Sequence, residues 1–358
     1  MKQLKILHID FEKTWRGGQQ QLFWLVDGLS KKGHKNFVVC YPGSPLQQKL
    51  TAGGFDFFTV GMLFELDPAA IYKTSKIIEK IKPDILHLHS AHAHTIGLLA
   101  AKFSKHKPKL VSSRRVDFHI KSLWKYKSAD RVIAISEGVK RVLLKDGLAA
   151  DKISVVHSGV ELSRFSNIQG DYLYNELKID KNDDVVGIVA SLAPHKDHKN
   201  FLQAAALVMK KLPATKFLLV GDGELKDDLI RFADKLKISG SVIFTGFRTD
   251  VPQLLTIFDV FVLSSYLEGL CTSVIDAMAS GIPVVATDVG GVGELVCDGC
   301  NGFLVPPGNP EILAEKTVKI LTDKNLQQEF SRNSKINAKN FSREKMVEGT
   351  EKVYFGLV

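Results

Sequence analysis

Two carboxylates, Glu268 and Asp276, are separated by seven residues in the stretch SYLEGLCTSVIDAMASGIPVV. The apolar run Val260–Leu263 before them suits a buried strand. Thr272–Ala279 has helix-compatible spacing, with Gly281 as its stop. Pro283 opens a second buried strand, Val284–Ala286, and the glycines of Asp288–Gly291 release it into a further helix. Strand, loop, helix and strand make one parallel-sheet unit whose working loop sits at the carboxyl end of a strand. Both acids therefore fall near a helix N-terminus, where free backbone N–H groups favour an anion. Carboxylates do not bind phosphate, but they accept hydrogen bonds from sugar or ribose hydroxyls beside one. The same acids also read as charges that complement the helix dipole.

Other residues with chemical potential lie in similar loops. Gly17 and Gly18 separate the strand Leu4–Ile9 from a helix with Leu22, Leu25, Val26 and Leu29 on one face. They would let backbone approach a phosphate closely, or simply form a tight turn. The spacing is not G-x-G-x-x-G, which counts against a nicotinamide dehydrogenase. Lys196, in the loop Ser191–Asp197 before another helix, can act as a point charge on a diphosphate or stand solvated. His89, His92 and His94 crowd the exit of the strand Ile85–Leu88, and strand alternation puts His87 on the same side as His89. No Asp or Glu completes a ligand set nearby, so no metal site is assigned. Cys297 and Cys300 form a lone C-x-x-C in a Gly-rich loop, read as a loop feature rather than zinc or redox chemistry.

The elements that must position these residues follow a single rhythm. Strand and helix candidates alternate from Leu4 to His157 and again from Val185 to Val305, which implies two mostly parallel, doubly wound sheets. A chain of 358 residues is long enough for two such domains. Its 45% apolar and 24% charged composition is that of a globular protein. No apolar run reaches membrane-spanning length, and MKQLKILHID meets an acid too soon for a signal peptide. Four cysteines without a framework suit a reducing compartment, so a cytoplasmic location is expected. The net charge of +9 points to an anionic partner: nucleotide, membrane surface or nucleic acid. Lys121–Lys127 interleaves cations with aromatics, as interfacial helices do on anionic lipid, although a solvated helix with its aromatics inward has the same composition.

Several motifs, in order along the chain, resemble those of the retaining nucleotide-sugar glycosyltransferases of family 4. The family pattern E-G-x6-E-A-x-A-x-G-x-P-V reads here as Glu268-Gly269 and Asp276-Ala277-Met278-Ala279-Ser280-Gly281-Ile282-Pro283-Val284, with Asp276 shorter than the usual Glu. Pro83–His89 resembles P-D-[VI]-[VIL]-H-x-H, and Ala129–Ser136 resembles A-D-x-[VI]-I-A-x-S. His157–Phe165 resembles the motif that closes the first domain. The first loop, usually G-G-x-E, has Gln20 at the Glu position. The loop usually written G-R-L-x-x-x-K keeps Lys196 but has Ser191 where the Arg belongs. Gly221–Glu224 matches G-x-G-x, and Gly246-Phe247-Arg248 lies where the family holds the nucleobase; by composition Phe247 suits core packing equally.

The resemblance implies an α/β GT-B fold of two Rossmann-like doubly wound domains facing a central cleft. The expected divisions are an acceptor domain over 1–165, a donor domain over 166–340 and a C-terminal helix, 341–358, returning to the first domain. It implies transfer of a hexose-type sugar from a nucleoside diphosphate sugar to a hydroxyl acceptor, in lipopolysaccharide, glycolipid or other cell-surface glycan synthesis. His89 would contact the transferred sugar, Lys196 the leaving diphosphate and Glu268 a sugar hydroxyl. Arg16, Gly17, Gly18, Ser191, Gly223, Phe247, Leu270, Cys271, Thr272 and Asp276 would line the donor, with Asp276 on the ribose. Arg16, beside Gly17-Gly18, is the candidate to replace the cation missing at Ser191. Neither a metal nor a cofactor beyond the co-substrate is implied. The partners are the donor, a glycan or lipid-linked acceptor and an anionic membrane surface on the inner face of the cytoplasmic membrane. An epimerase or hydrolase of the same fold is the rival enzyme. The charge also admits a nucleic-acid-binding protein, for which no helix-turn-helix, RNP or zinc-finger signature is present.

Overall fold

The computed structural model describes residues 2–358 and divides into two units. One runs to Gly159 and includes Arg343–Val358; the other is Val160–Ser342. The first boundary therefore precedes the expected Phe165. Val160 N–H donates to the Phe341 carbonyl at 2.9 Å, and the turn Leu162–Phe165 packs against the helix that carries Asp276, so this segment belongs to the second unit. The second boundary falls at Ser342 rather than at 340.

In the first unit the alternating elements are β1 (Lys5–Asp10), α1 (Gly17–Lys31), β2 (Lys35–Cys40), α2 (Pro45–Ala52), β3 (Phe57–Thr59), α3 (Pro68–Ile81), β4 (Ile85–Leu88), α4 (Ala91–Phe103), β5 (Lys109–Arg114), α5 (Leu123–Lys127), β6 (Arg131–Ala134), α6 (Glu137–Lys145) and β7 (Ile153–Val155). The sheet is parallel, in the order β3-β2-β1-β4-β5-β6-β7. Its central strands are buried on both faces because helices cover both; Ile6, Leu7, Ile9, Leu86 and Leu88 are fully buried.

The second unit contains α7 (Tyr172–Glu176), β8 (Val185–Val189), α8 (His198–Met209), β9 (Lys216–Val220), α9 (Lys226–Lys235), β10 (Val242–Gly246), α10 (Val251–Leu255), β11 (Val260–Leu263), α11 (Thr272–Ser280), β12 (Val284–Thr287), β13 (Gly302–Val305), α12 (Pro310–Thr322) and α13 (Lys324–Ala338). Its parallel sheet has the order β10-β9-β8-β11-β12-β13. The helix expected after Gly290-Gly291 is absent: only a single 3-10 turn, Val292–Glu294, joins β12 to β13. Gly290, Gly291 and Gly293 deprive that segment of helix propensity, and Gly290 sits at φ 54°.

The last helix, α14 (Arg343–Phe355), belongs to the first unit and lies against α1. A Cβ added to Gly28 would come within 2.5 Å of Val347, so α1 needs glycine there for α14 to pack. Glu351 accepts from Lys32 Nζ at 2.6 Å and pairs with His34 Nε2 at 2.9 Å.

Candidate active site

Each sheet reverses its order of winding at one place: between β1 and β4 in the first, and between β8 and β11 in the second. Such a switch point leaves a crevice at the carboxyl ends of the strands, where helices depart to opposite faces. Nearly every chemistry-bearing residue singled out in the sequence follows one of these four strands.

In the second unit, Lys196 follows β8 and Glu268 follows β11. Lys196 Nζ lies 2.5 Å from Glu268 Oε1, and both side chains are largely buried. Ser265 Oγ donates to the same carboxylate oxygen at 2.7 Å. Two more hydrogen bonds hold the two loops in register, and a third ties the Glu268 loop to β12. Ser264 Oγ donates to the Lys196 carbonyl at 2.8 Å, Tyr266 N–H to the His195 carbonyl at 3.0 Å, and Thr287 Oγ1 to the Ser265 carbonyl. A cation and an anion are thus fixed side by side at the switch point.

The helix α11 starts there. Its N-cap Cys271 has a left-handed backbone (φ 73°, ψ 84°), no side chain caps it, and its first turn carries no acid. A non-glycine residue in that conformation is strained, a feature that clusters at ligand sites. Burial raises the Cys271 thiol pKa to about 11, so it is no nucleophile at neutral pH. Leu270 is buried, leaving its backbone as its polar contribution, and Thr272 opens the helix. Asp276 follows one turn later; burial raises its pKa to about 7, opposed by the charge of Arg164.

Gly221 and Gly223 have a packing reason: a Cβ on Gly223 would fall 2.6 Å from the Leu192 carbonyl oxygen, so glycine lets this loop lie against the one carrying Ser191. Ser191 itself is exposed, and its carbonyl accepts from His198 Nε2 at 3.1 Å. Phe247 is 77% exposed, which removes the core-packing alternative.

The first unit assembles a site that the sequence only half disclosed. His8, from β1, joins His87 and His89; their ring nitrogens lie within 4.8 Å of one another. The His87 and His89 rings lie on one side, as strand alternation requires, tilted by 38° with centroids 3.9 Å apart. Exposed His92 and buried His94 are not part of this trio. Every nitrogen of the trio has a protein partner. His8 bridges His89 Nε2 and Asn36 Oδ1, each at 3.1 Å; His87 bridges the Tyr354 hydroxyl at 2.6 Å and Ser113 Oγ at 2.8 Å. Arg115 Nη2 donates to His89 Nδ1 at 3.4 Å. Arg115 can only donate, so His89 carries its proton on Nε2 and passes a hydrogen bond to His8, which donates in turn to Asn36. Burial holds all three pKa values below the ordinary histidine value, that of His8 at about 4, so the trio is neutral at pH 7.

Two residues here carried no signal in the sequence. Asp10, at the end of β1, is 1% exposed; burial raises its pKa to about 6 against hydrogen bonds from Glu12 N–H and Gln19 Nε2. Arg115 lies just beyond β5 and reaches the same spot. Gly17 and Gly18 are the first residues of α1, where the Gln19 side chain reaches back to the N-cap backbone. Neither has a positive φ, so the turn does not require glycine; a Cβ on Gly17 would meet nothing within 4 Å, and one on Gly18 would touch Arg115 at 3.6 Å. Arg16, the expected substitute cation, is exposed, and its N–H donates to Gln19 Oε1 at 3.1 Å.

The chain matches two family models: Glycosyltransferase Family 4 over residues 15–164, and Glycosyl transferases group 1 over residues 173–337. An uncharacterised glycosyltransferase of Methanocaldococcus jannaschii is 30% identical over 79% of this chain and 78% of its own length. The UDP-Gal:alpha-D-GlcNAc-diphosphoundecaprenol alpha-1,3-galactosyltransferase of Escherichia coli is 26% identical over 99% of this chain and 97% of its own. Among solved structures, Anabaena HepE in complex with UDP and glucose superposes with a TM-score of 0.87 at 22% identity, covering 99% of this chain and 100% of that one. The fold is that of the GT-B glycosyltransferases. The chain belongs to glycosyltransferase family 4.

Proposed function

We propose that this glycosyltransferase moves a hexose-type sugar, with retention and without a metal, from a nucleoside diphosphate sugar to a hydroxyl of a lipid-linked saccharide. One observation carries the donor half: the buried Lys196–Glu268 pair stands at the switch point where uncapped α11 begins, with Asp276 one turn on. In this reading the diphosphate lies at the α11 N-terminus beside Lys196, and the ribose hydroxyls donate to Asp276. Glu268 accepts from a hydroxyl of the transferred sugar while steadying Lys196. Leu270, Cys271 and Thr272 contribute backbone N–H groups, Phe247 borders the base, and His89 faces the sugar. As the bond from the anomeric carbon to the diphosphate breaks, Lys196 stabilises the growing charge. The acceptor oxygen attacks the same face, and its proton passes to the departing phosphate.

The acceptor half rests on the Escherichia coli relative, whose name specifies a sugar on diphosphoundecaprenol. A peripheral position on the inner face of the cytoplasmic membrane accompanies it. No described helix is long and apolar enough to cross a membrane. The Lys121–Lys127 stretch is less of an interfacial helix than its composition suggests: α5 spans five residues, Tyr126 is buried, and Lys125 is paired with Glu65. That pair ties α5 to the loop before α3, where Leu63, Phe64 and Leu66 are 91%, 56% and 57% exposed. Trp124 and Phe118 are also exposed, as are Lys121 and Lys127. Apolar tips among cations suit insertion into anionic lipid.

Melting the protein with UDP-, GDP- and ADP-sugars tests the donor reading: one nucleotide class should raise Tm, because a ligand bound only by the native state stabilises it. No shift with any would sink it. With that donor and an undecaprenyl-diphosphate-linked sugar, NMR of the product anomer tests retention, and unchanged turnover in a chelator tests metal independence. Donor consumed equally without acceptor would instead mark a hydrolase.

A further inference from the structure

Cys297 and Cys300 stand in the segment between β12 and β13, and both are exposed free thiols. A C-x-x-C spacing in a glycine-rich loop carries no chemistry by itself, but the fold gives this one a definite shape. Cys300 N–H donates to the Cys297 carbonyl at 3.0 Å, and Gly299 supplies the left-handed residue of the turn at φ 73°. A hydrogen-bonded turn of four residues holds its end Cα atoms within about 7 Å, and a disulfide spans about 4.4–6.8 Å. The side chains also converge. Desolvation, and then the Cys297 thiol as hydrogen-bond partner, raise the Cys300 pKa above its ordinary value.

The turn is anchored at both ends. Asn301 Oδ1 accepts from Cys297 N–H at 2.7 Å. From α13, Asn333 Nδ2 donates to the Cys300 carbonyl at 2.8 Å and lies 3.9 Å from the Cys300 sulfur. Among the described residues, no third His, Cys, Asp or Glu joins the two thiols in a metal-ligating group. Two sulfurs alone suit a bond to each other better than a zinc ion, which takes four ligands. The remaining cysteines are set apart by burial, which pushes the Cys40 thiol up to about 12 and the Cys271 thiol up to about 11.

We propose that Cys297 and Cys300 form a modification site, a dithiol that low-molecular-weight disulfides convert reversibly into an intrachain disulfide. It stands independently of the sugar-transfer reading. Cys297 gives its proton to solvent, and its thiolate attacks one sulfur of glutathione disulfide. A mixed disulfide forms, and one glutathione thiolate leaves and takes up a proton. Cys300 then loses its proton, attacks the Cys297 sulfur and expels the second glutathione. Two protein thiols are oxidised to one disulfide while one glutathione disulfide is reduced to two thiols. Cys300 is the resolving member, because it holds its proton longer.

Mass spectrometry on the full, reduced chain tests this after equilibration in glutathione buffers and trapping of free thiols with N-ethylmaleimide. The peptide containing 297–300 should lose two hydrogens and carry no glutathione, and dithiothreitol should restore both thiols. Cys40 and Cys271 should stay reduced. Cys300→Ser should stop at a stable glutathione adduct on Cys297, and both side chains are exposed enough for the variant to keep its Tm. The equilibrium constant for closure should exceed that of the urea-unfolded chain about tenfold or more, since the folded turn has already met the cost of ring closure. Wild-type protein that stays reduced, keeps glutathione on either cysteine or cross-links between chains overturns the site. Equal constants in the folded and unfolded chains would also overturn it, because the turn would then contribute nothing.

Discussion

A lysine and a glutamate held 2.5 Å apart in a mostly buried setting pose a definite question about single residues. Removing one partner of such a pair strands the other and typically costs about 3–5 kcal/mol, whereas removing both is far milder. Lys196→Ala is therefore expected to lower Tm and to slow transfer about 10²–10³-fold, the usual effect of losing one preorganised charge contact. Adding Glu268→Gln should restore much of the Tm and none of the rate. Thermal melts and initial rates at saturating donor separate the two effects, and a single variant with wild-type turnover refutes the role given to Lys196. Asp276 makes a second prediction. Its folded pKa of about 7 lies above the ordinary carboxylate value, so its ionisation weakens the folded state as pH rises from about 4 through 7. Ribose hydroxyls donate to the ionised form and pull that pKa down, so donor binding should release a proton near pH 7 and strengthen as pH rises through it. A nucleotide sugar is the right probe, since its diphosphate diester has no proton of its own there. Calorimetry in buffers of different ionisation heat reads the release; an unchanged pH profile in Asp276→Asn would contradict it.

Among the elements, the carboxyl ends of β1 and β4 bury three neutral histidines against Asn36, Ser113 and Tyr354. Each has a folded pKa below its unfolded value of about 6.5. Their stabilising share is therefore present above that pH and is lost below it, as the unfolded chain takes up protons that the folded one refuses. Each contributes a slope of about 1.4 kcal/mol per pH unit. Denaturant midpoints should fall steeply below pH 6.5, and His8→Asn should flatten part of that slope; equal slopes in the two proteins would refute the assignment. Tyr354 also shows why α14 matters here: it brings a hydroxyl from the end of the chain to His87 in β4. The motif Pro83–His89 made His89 legible and its strand neighbour His87 plausible. Asp10 and Arg115 were not legible, because neither lies in a Gly-rich loop or repeats a spacing. Arg115 meets His89, and Asp10 comes near Arg115, only because β1 and β5 flank β4.

For the whole molecule, the net charge of +9 is a long-range property, while the apolar tips at Leu63, Phe64 and Leu66 are local. Charge should bring the protein to an anionic surface and the tips should hold it there. Sedimentation with phosphatidylglycerol vesicles at low salt is expected to carry the protein down, with release as salt screens the charge. Leu63→Ser with Phe64→Ser should weaken partitioning about tenfold or more, given the apolar area withdrawn. Wild-type protein left in the supernatant at low salt would refute the membrane surface.

The sequence by itself determined the two sheets, most element bounds, and the loops bearing Lys196, Glu268 and Asp276, because apolar period, helix stops and glycine placement are local properties written in consecutive residues. Local chemistry misjudged the glycine-rich run after Asp288, where the expected helix is one 3-10 turn. Only the tertiary structure decided which loops are neighbours. Strand order sets the switch points, and those bring Lys196 onto Glu268 and gather His8, Asp10, His89 and Arg115 from three separate strand ends. Burial then sets the charge each group carries, since desolvation depends on what packs around a side chain and not on its neighbours in sequence.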